Sequence, residues 1–338
     1  MVARILMLTR DDDVPARHLG SMLTARGAEV VVFDPGGFPT SAKLSATLAS
    51  DGTIRRRLVT ADRAVDLETL TAVWFGRPSQ PTPHPEVVDP IMRTYVRHES
   101  TAFADDLWSS LRYRAVPARA EVVRSAGHKL SQLVVASQVG FEIPPTLITT
   151  DPDELLDFYC THDGKIVTKV IEQLSFHHQD EGFFRLTELV STRDLGYANA
   201  LRLCPVIVQP YVSKAFEVRV TVVGSRVFAV EIHSQASNRA RLDWRSYDLH
   251  STPHRVHRLP DAVAARCLRL VEQLGLCYGA IDLIVTPDGR YVFLEINPTG
   301  QYLWLEEATG LPISEALCDL LLGHDLVPAH ASSREHAA

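Results

Sequence analysis

Lysine is scarce in this chain of 338 residues: it occurs only at Lys43, Lys129, Lys165, Lys169 and Lys214, and the remaining 29 of the 34 basic residues are arginines. Where lysine does stand, a compact ammonium is a candidate requirement. Cysteine is equally sparse. The five cysteines are odd in number, scattered, and contain no C-x-x-C pair, which argues against both a disulfide framework and a zinc site. No apolar run approaches the roughly 18 residues of a membrane-spanning helix. The opening Met1-Val-Ala-Arg-Ile-Leu-Met-Leu-Thr9 runs directly into Arg10-Asp-Asp-Asp13, as expected of a first core strand and not of a signal peptide. A cytoplasmic protein is therefore expected. A net charge of -7 supplies no general attraction to nucleic acid or an anionic membrane, so neither is expected as a partner.

Familiar nucleotide signatures are missing too. No G-x-G-x-x-G follows the first strand, which argues against a dinucleotide fold of the usual kind. Gly127-His128-Lys129 resembles the end of a phosphate loop, but Gly and Lys are not adjacent and Val122 stands where the earlier glycine belongs. No Ser-His-Asp or Cys-His arrangement suggests a covalent nucleophile. His177-His178 is no metal pair either, because neighbouring strand residues point to opposite faces.

What is present reads as an α/β (α+β) protein in three regions, with 46% apolar residues to build more than one core. Residues 1–115 begin β-α-β: apolar runs at 2–8 and 28–33 flank a helical pattern from Pro15 to Arg26, closed by Gly27. A stretch of weak periodicity follows, then a strand over Ala72 to Pro78. Asp34 and the Trp74 to Arg77 edge fall at strand ends, where open α/β sheets place ligands. Residues 116–205 form a central region with an apparent hairpin over 171–192. Residues 206–323 read as long strands with a helix from Asp261 to Leu274, and the polar tail 324–338 is expected to be disordered.

The third region carries the strongest chemical signal. Ala280 to Gln301 alternates strand-forming residues around the turn Pro287-Asp288-Gly289, a β-hairpin pattern. Alternation points Glu295 and Asn297 to one face, and the neighbouring strand can bring Asp282 alongside. Two carboxylates and an amide oxygen suit Mg²⁺, a hard cation that completes its shell with water and phosphate oxygens. Upstream, Val206 to Val212 is a strand interrupted by Pro210, which belongs at an edge or an interdomain connection. Its backbone could pair with adenine. Glu217 and Arg219 then share one strand face.

In this order, Lys129, Lys169, Val-Gln-Pro-Tyr-Val (208–212), Glu-Val-Arg-Val-Thr-Val-Val-Gly (217–224), Asp243-Trp-Arg245, Ile-Asp282-Leu and Leu-Glu295-Ile-Asn297-Pro resemble an ATP-grasp carboxylate–amine ligase over about residues 115–322. Val-Trp-Phe-Gly-Arg-Pro (73–78), Ile-Pro-Pro-Thr-Leu-Ile-Thr (143–149) and Asn-Pro-Thr-Gly-Gln-Tyr-Leu-Trp-Leu (297–305) are similar to the microviridin-type, or graspetide, macrocyclases. The resemblance implies an ATP-grasp fold with an N-terminal α/β domain, a central domain and a C-terminal antiparallel-sheet domain, and the cofactors ATP and Mg²⁺. It assigns Lys129 and Lys169 to ATP phosphates, and the backbone of Gln209, Pro210, Tyr211 and Val212 to adenine. Glu217 falls to ribose, Arg219 and Arg245 to the transferring phosphate or the substrate carboxylate, and Asp282, Glu295 and Asn297 to Mg²⁺. Related ligases often have a glutamate where Pro210 stands, so adenine recognition here would rest on main chain. The implied partner is a ribosomally made precursor peptide of leader plus core, whose leader helix would dock at Phe183, Phe184 and Arg185; a homodimer is also implied. A ligase for a small amino acid or a protein tail, and a non-catalytic nucleotide-binding scaffold, are the alternatives.

Overall fold

The computed structural model describes residues 2–172, 176–178, 181–183, 186–236, 242–244 and 252–324, the segments 176–178 and 181–183 by backbone alone. The predicted β-α-β opening is present as β1 (Arg4–Leu8), α1 (Val14–Ala25) and β2 (Glu29–Phe33). Asp13 caps α1 by accepting from the Ala16 N–H, and Pro15 sits in the first turn, where a missing N–H costs nothing. The weakly periodic stretch is a small antiparallel sheet of β3 (Lys43–Leu48), β4 (Ile54–Val59) and β5 (Ala64–Asp66). The chain then returns through β6 (Ala72–Phe75), α2 (Pro90–Ser110) and β7 (Arg114–Val116). The parallel sheet has the order β2-β1-β6-β7. Both of its faces are covered, as parallel sheets require. Ile5, Met7 and Trp74 pack on one side with Leu19 and Leu23 of α1. Leu6, Leu8, Val73 and Phe75 pack on the other with Leu107 and Trp108 of α2.

Next come α3 (Ala120–Ala126), α4 (Lys129–Gln138), β8 (Leu147–Thr149), α5 (Pro152–Thr161) and β9 (Ile166–Lys169). Within the segment expected to be a hairpin, β10 (Phe176–His178) and β11 (Glu181–Phe183) pair antiparallel, Phe176 opposite Phe183. Then follow β12 (Glu188–Leu189), α6 (Thr192–Leu195) and β13 (Val206–Pro210). The central sheet has the order β12-β9-β13-β8. Ile207 and Val208 are thus interior, paired on both sides, so the strand is not at a sheet edge; of the two places its proline suggested, the interdomain connection fits, because the chain leaves Pro210 for the next sheet. Pro210 is the last strand residue, beyond the reach of β8 and opposite Ile166 only, so its missing N–H breaks no interior ladder. The sheet rests on a small core of its own around Leu155, Ile166, Val190 and Val208.

The last sheet is antiparallel, β16-β15-β14-β17-β18. It is built from β14 (Phe216–Val223), β15 (Arg226–Ile232), β16 (His254–Val256), then α7 (Asp261–Gln273), β17 (Tyr278–Val285) and β18 (Tyr291–Asn297). Val218, Val220, Val222, Ile281, Leu283, Phe293 and Ile296 point to one face and pack against Val263, Cys267 and Leu270 of α7 and Leu133 of α4. On the opposite face Val223 and Tyr278 form an apolar end, and Glu217, Arg219 and Asp282 beyond them are polar. Two helices, α8 (Leu303–Thr309) and α9 (Ile313–Leu322), close the chain. Ile313, Leu317 and Leu321 of α9 share one core with Ile5 of the N-terminal sheet, Leu19 of α1, and Val223, Val230 and Tyr278 of the C-terminal sheet. Among the described residues no helix is long and apolar enough to cross a membrane. The tail from 325 lies outside the described residues.

Candidate active site

Three adjacent strands of the C-terminal sheet carry a row of charged side chains on the face turned away from α7. Arg219 on β14 is directly opposite Asp282 on β17, which is directly opposite Glu295 on β18. Asn297 follows on the same face, opposite Ala280. Plain alternation predicted this set, but the strand is not plain. The register slips between Asp282 and Leu283, so that Leu283 faces Phe293 while Asp282 faces Glu295 and Leu294 is the extra residue of a β-bulge. Bulges of this kind re-aim side chains beside functional sites. Here Leu294 and Glu295 both reach the cleft while Phe293 and Ile296 stay in the core.

The row is buried and fully charge-matched. Asp282 is 7% exposed, Glu295 8% and Arg219 4%. The Arg219 guanidinium donates to Asp282 Oδ2 at 2.7 Å, and the Asn297 amide donates to the same oxygen at 3.3 Å. Lys129, the first residue of α4, forms an ion pair with Glu295. The β18 backbone between the two candidate ligands is clamped by Gln132, whose amide donates to the Ile296 carbonyl at 2.8 Å and accepts its N–H at 3.1 Å. Buried carboxylates persist only with such partners. Arg219 keeps one further donor: its Nε is buried with no hydrogen-bond partner among the described residues. A buried orphan N–H aimed from a cationic group fits an anionic ligand oxygen. Trp244 lies against the same guanidinium, 5.9 Å from ring centre to Cζ, and is stacked on Trp304 at 5.1 Å.

A cleft runs between this face and the central sheet. Lys169 at the end of β9, Gln209 and Pro210 of β13, then Tyr211, Val212, Lys214, Glu217, Asp282 and Glu295 line it. Most residues singled out from sequence therefore come together here. Lys129, Arg219 and Asn297 stand behind the lining, linked to it through Glu295 and Asp282. The Gln209 side chain donates to Thr146 Oγ1 at 2.8 Å, which turns it back into the sheet. Arg245, Phe184 and Arg185 lie outside the described residues, and of Phe183 only the backbone, in β11, is described.

Sequence reasoning missed Lys214. It is 8% exposed, forms an ion pair with Glu217, and donates to the Leu242 carbonyl at 3.1 Å. Glu217 also accepts from the Ser234 hydroxyl. Burial pushes the Glu217 carboxyl above its ordinary range, opposed by Lys214 and Ser234. The scarcity of lysine was the one signal that could have found Lys214. Thr187, whose N–H and hydroxyl donate to Asp243 at 3.1 and 3.0 Å, ties the Asp243-Trp244 segment to the central sheet and was also unforeseen.

The donor set fits a hard divalent cation, with oxygen atoms alone from two carboxylates and an amide. Among the described residues no group of three or more His, Cys, Asp or Glu is placed to hold a metal, so no third carboxylate among them joins Asp282 and Glu295. Phosphate oxygens and water complete such a shell for Mg²⁺.

Comparisons with known proteins agree with this architecture. A family model described as the MvdD pre-ATP grasp domain matches residues 4–122. The chain is similar to the RiPP-associated ATP-grasp ligase of Chryseobacterium gregarium, solved in complex with ADP and a leader and core peptide, at 29% identity and a TM-score of 0.87 over 96% of this chain and 97% of that one. The macrocyclase MdnC of Microcystis aeruginosa, bound with the precursor peptide MdnA, matches at 29% identity and a TM-score of 0.84, covering 95% of this chain and all (100%) of that one. Its counterpart MdnB, from the same organism, matches at 30% identity and a TM-score of 0.79 over 95% and 99%. No curated protein matches the chain by sequence. An ATP-grasp fold traced almost end to end on these structures, at this identity, means that the chain belongs to the ATP-grasp ligases of the macrocyclase family and is an ATP-dependent ligase.

Proposed function

We propose that this ligase closes rings in a ribosomally made precursor peptide, joining Asp or Glu side chains to Thr or Ser hydroxyls or to Lys amines. A peptide carboxylate attacks the γ-phosphorus of ATP, the bond to the bridging oxygen breaks, and ADP leaves with the electron pair. The resulting acyl phosphate is attacked at carbon by the hydroxyl or amine, which loses its proton as inorganic phosphate departs, leaving an ester or an amide. Atoms balance as one ATP hydrolysed for each water removed from the peptide.

The observation that carries the reading is the buried row Arg219–Asp282–Glu295 facing a cleft whose opposite wall bears Lys169. Lys169 is assigned to the ATP phosphates and Arg219 to the transferring phosphoryl group or the attacking carboxylate, where fixed cations stabilise charge that develops in the transition state. Arg245 shares that assignment. Lys129 is assigned to ATP phosphates and is held by Glu295 at the edge of the row. The Gln209 to Val212 backbone is assigned to adenine and Glu217 to ribose. Asp282, Glu295 and Asn297 would hold Mg²⁺, which when bound neutralises phosphate charge. Phe183, Phe184 and Arg185 are assigned to the leader. The division into residues 1–115, 116–205 and 206–323 is proposed with a cytoplasmic setting.

The relatives at 29% identity are complexes with a leader and core peptide and with the precursor MdnA, which favours a peptide substrate over a free amino acid or a protein tail. The test is mass spectrometry of candidate precursor peptides incubated with the enzyme, ATP and Mg²⁺. Loss of one water per ring, matched by ADP release, is expected. ADP release with a free amino acid and an unchanged peptide mass would overturn the reading.

A further inference from the structure

A second cleft, of about 380 Å³, opens at the carboxyl ends of β1 and β6. Because β2 and β6 flank β1, the chain leaves the sheet in opposite directions there, the position at which open α/β sheets bind ligands. Its walls are apolar and stiff, with Leu8 and Phe75 from the strand ends, Pro78 and Pro81 from the following loop, and Trp108 from α2. The loop is pinned in place. Asp34 accepts both the N–H and the hydroxyl of Ser79 at 2.8 Å, and the Thr82 N–H donates to the Phe38 carbonyl at 3.1 Å. The two charged lining residues, Asp105 and Arg124, pair with each other at 2.9 Å, so the cleft offers an ionic ligand no net charge.

Thr299 closes the cleft, two residues beyond Asn297. The next residue, Gly300, lies so close to the row that a Cβ there would come within 2.6 Å of Arg219 Nη2. One short loop therefore separates the apolar cleft from the cation assigned to the reacting carboxylate. We propose that the cleft seats an apolar side chain of the precursor's core, a few residues from the carboxylate that is activated beside Arg219. The inference rests on the peptide-ligase reading above. It supplies what the catalytic row lacks: a means of choosing one acidic residue of a flexible peptide by the apolar residue near it. Burying that neighbour in a preformed pocket fixes the register of the chain over Arg219.

The experiment fills the cleft. Thr101→Trp, on the lining face of α2, and Ala120→Phe, at the start of α3, each place an aromatic ring in it. The probes are a full precursor peptide in which the parent enzyme closes rings and the isolated leader of that precursor. Expected is a rise in precursor KM of about ten- to a hundredfold, the scale of losing one apolar contact, with ATP KM and leader affinity as in the parent. Replacing each apolar core residue of the precursor by Ala in turn should reveal one position that raises KM for the parent enzyme but not for Thr101→Trp. Unchanged precursor KM in whichever of the two variants folds, against an active parent, overturns the inference alone. A parent that closes no ring in any candidate precursor overturns the peptide-ligase reading and this inference with it.

Discussion

At the scale of single residues, the site stores charge in pairs, and breaking one pair need not unfold the protein. Glu295 pairs with Lys129 of α4 and Asp282 with Arg219 of the neighbouring strand, inside a sheet whose opposite face is an apolar core. Glu295→Gln keeps the shape and the hydrogen bonds but removes the charge that a metal-bridged phosphate needs. The expected result is a loss of turnover of about 10²–10³-fold or more with an unchanged circular dichroism spectrum. Full activity in this variant would sink the metal assignment. Lys214 behaves differently, because its ion pair with Glu217 is almost wholly enclosed, at 8% and 4% exposure. Lys214→Met leaves a buried carboxylate without its partner and should cost roughly 3–5 kcal/mol in urea denaturation. Adding Glu217→Gln should restore much of it; a double variant as unstable as the single one contradicts the pairing. Asp282, Glu295 and Asn297 were legible because strand alternation and oxygen chemistry suffice to group them. Lys214 was not, because nothing local distinguishes a lysine turned into the cleft from one on the surface. Arg56 escaped for the same reason: it is 5% exposed in an Arg-Arg-Arg run that reads as solvated, yet it pairs with Glu68 and donates to the Ser110 carbonyl at 2.9 Å.

Elements were legible where period and turn chemistry agree, as in α1, β1 and the β17–β18 hairpin. The β3–β5 sheet was not, because exposed positions outnumber buried ones along β3 and Arg56 stands where an apolar residue would mark β4. The bulge at Leu294 inserts one residue without altering composition, so no sequence pattern announces it. The core face of the C-terminal sheet also holds an exception at its edge. Glu231 of β15 accepts from His233 at 2.8 Å and His257 at 2.7 Å, and His257 in turn meets the Tyr291 hydroxyl at 2.8 Å. Burial alone would raise the Glu231 carboxyl, but its hydrogen bonds from His257 and His233 outweigh that and hold it below the ordinary range. A depressed folded-state value contributes stability above the unfolded value of about 4.3, and that contribution is lost as pH falls through the folded one. Glu231→Gln should therefore lower stability by about 1–3 kcal/mol near neutral pH. The gap to the parent should narrow below about pH 4, where the parent's own carboxylate takes up its proton. A gap that stays constant with pH would mean that packing, not charge, is what Glu231 supplies.

Across the whole molecule, one continuous core joins the first and the third of the three proposed regions. The helix α9 comes last in the described chain, yet it packs between the N-terminal parallel sheet and the C-terminal antiparallel sheet, whose buried residues form one continuous cluster with it. Asp319 reinforces the junction with Arg26 on one side at 2.9 Å and Arg226 on the other at 2.8 Å. These two sheets should unfold together. The central sheet has instead a small separate core, five buried residues among the described ones, with β12 and β8 at its edges. Local stability follows buried apolar contact, so this sheet should open at lower free energy than the rest. Hydrogen exchange provides the measurement. Amides of β9 and β13 are expected to exchange faster than those of β14 and β17, with β1 and β6 protected as strongly as β17. Addition of ADP and Mg²⁺ should slow exchange in β9 and β13 most, because the cleft lies between their sheet and the C-terminal one and a nucleotide bound there would couple the weaker core to the stronger. Equal protection of all three sheets before and after nucleotide would place the moving part of this enzyme elsewhere.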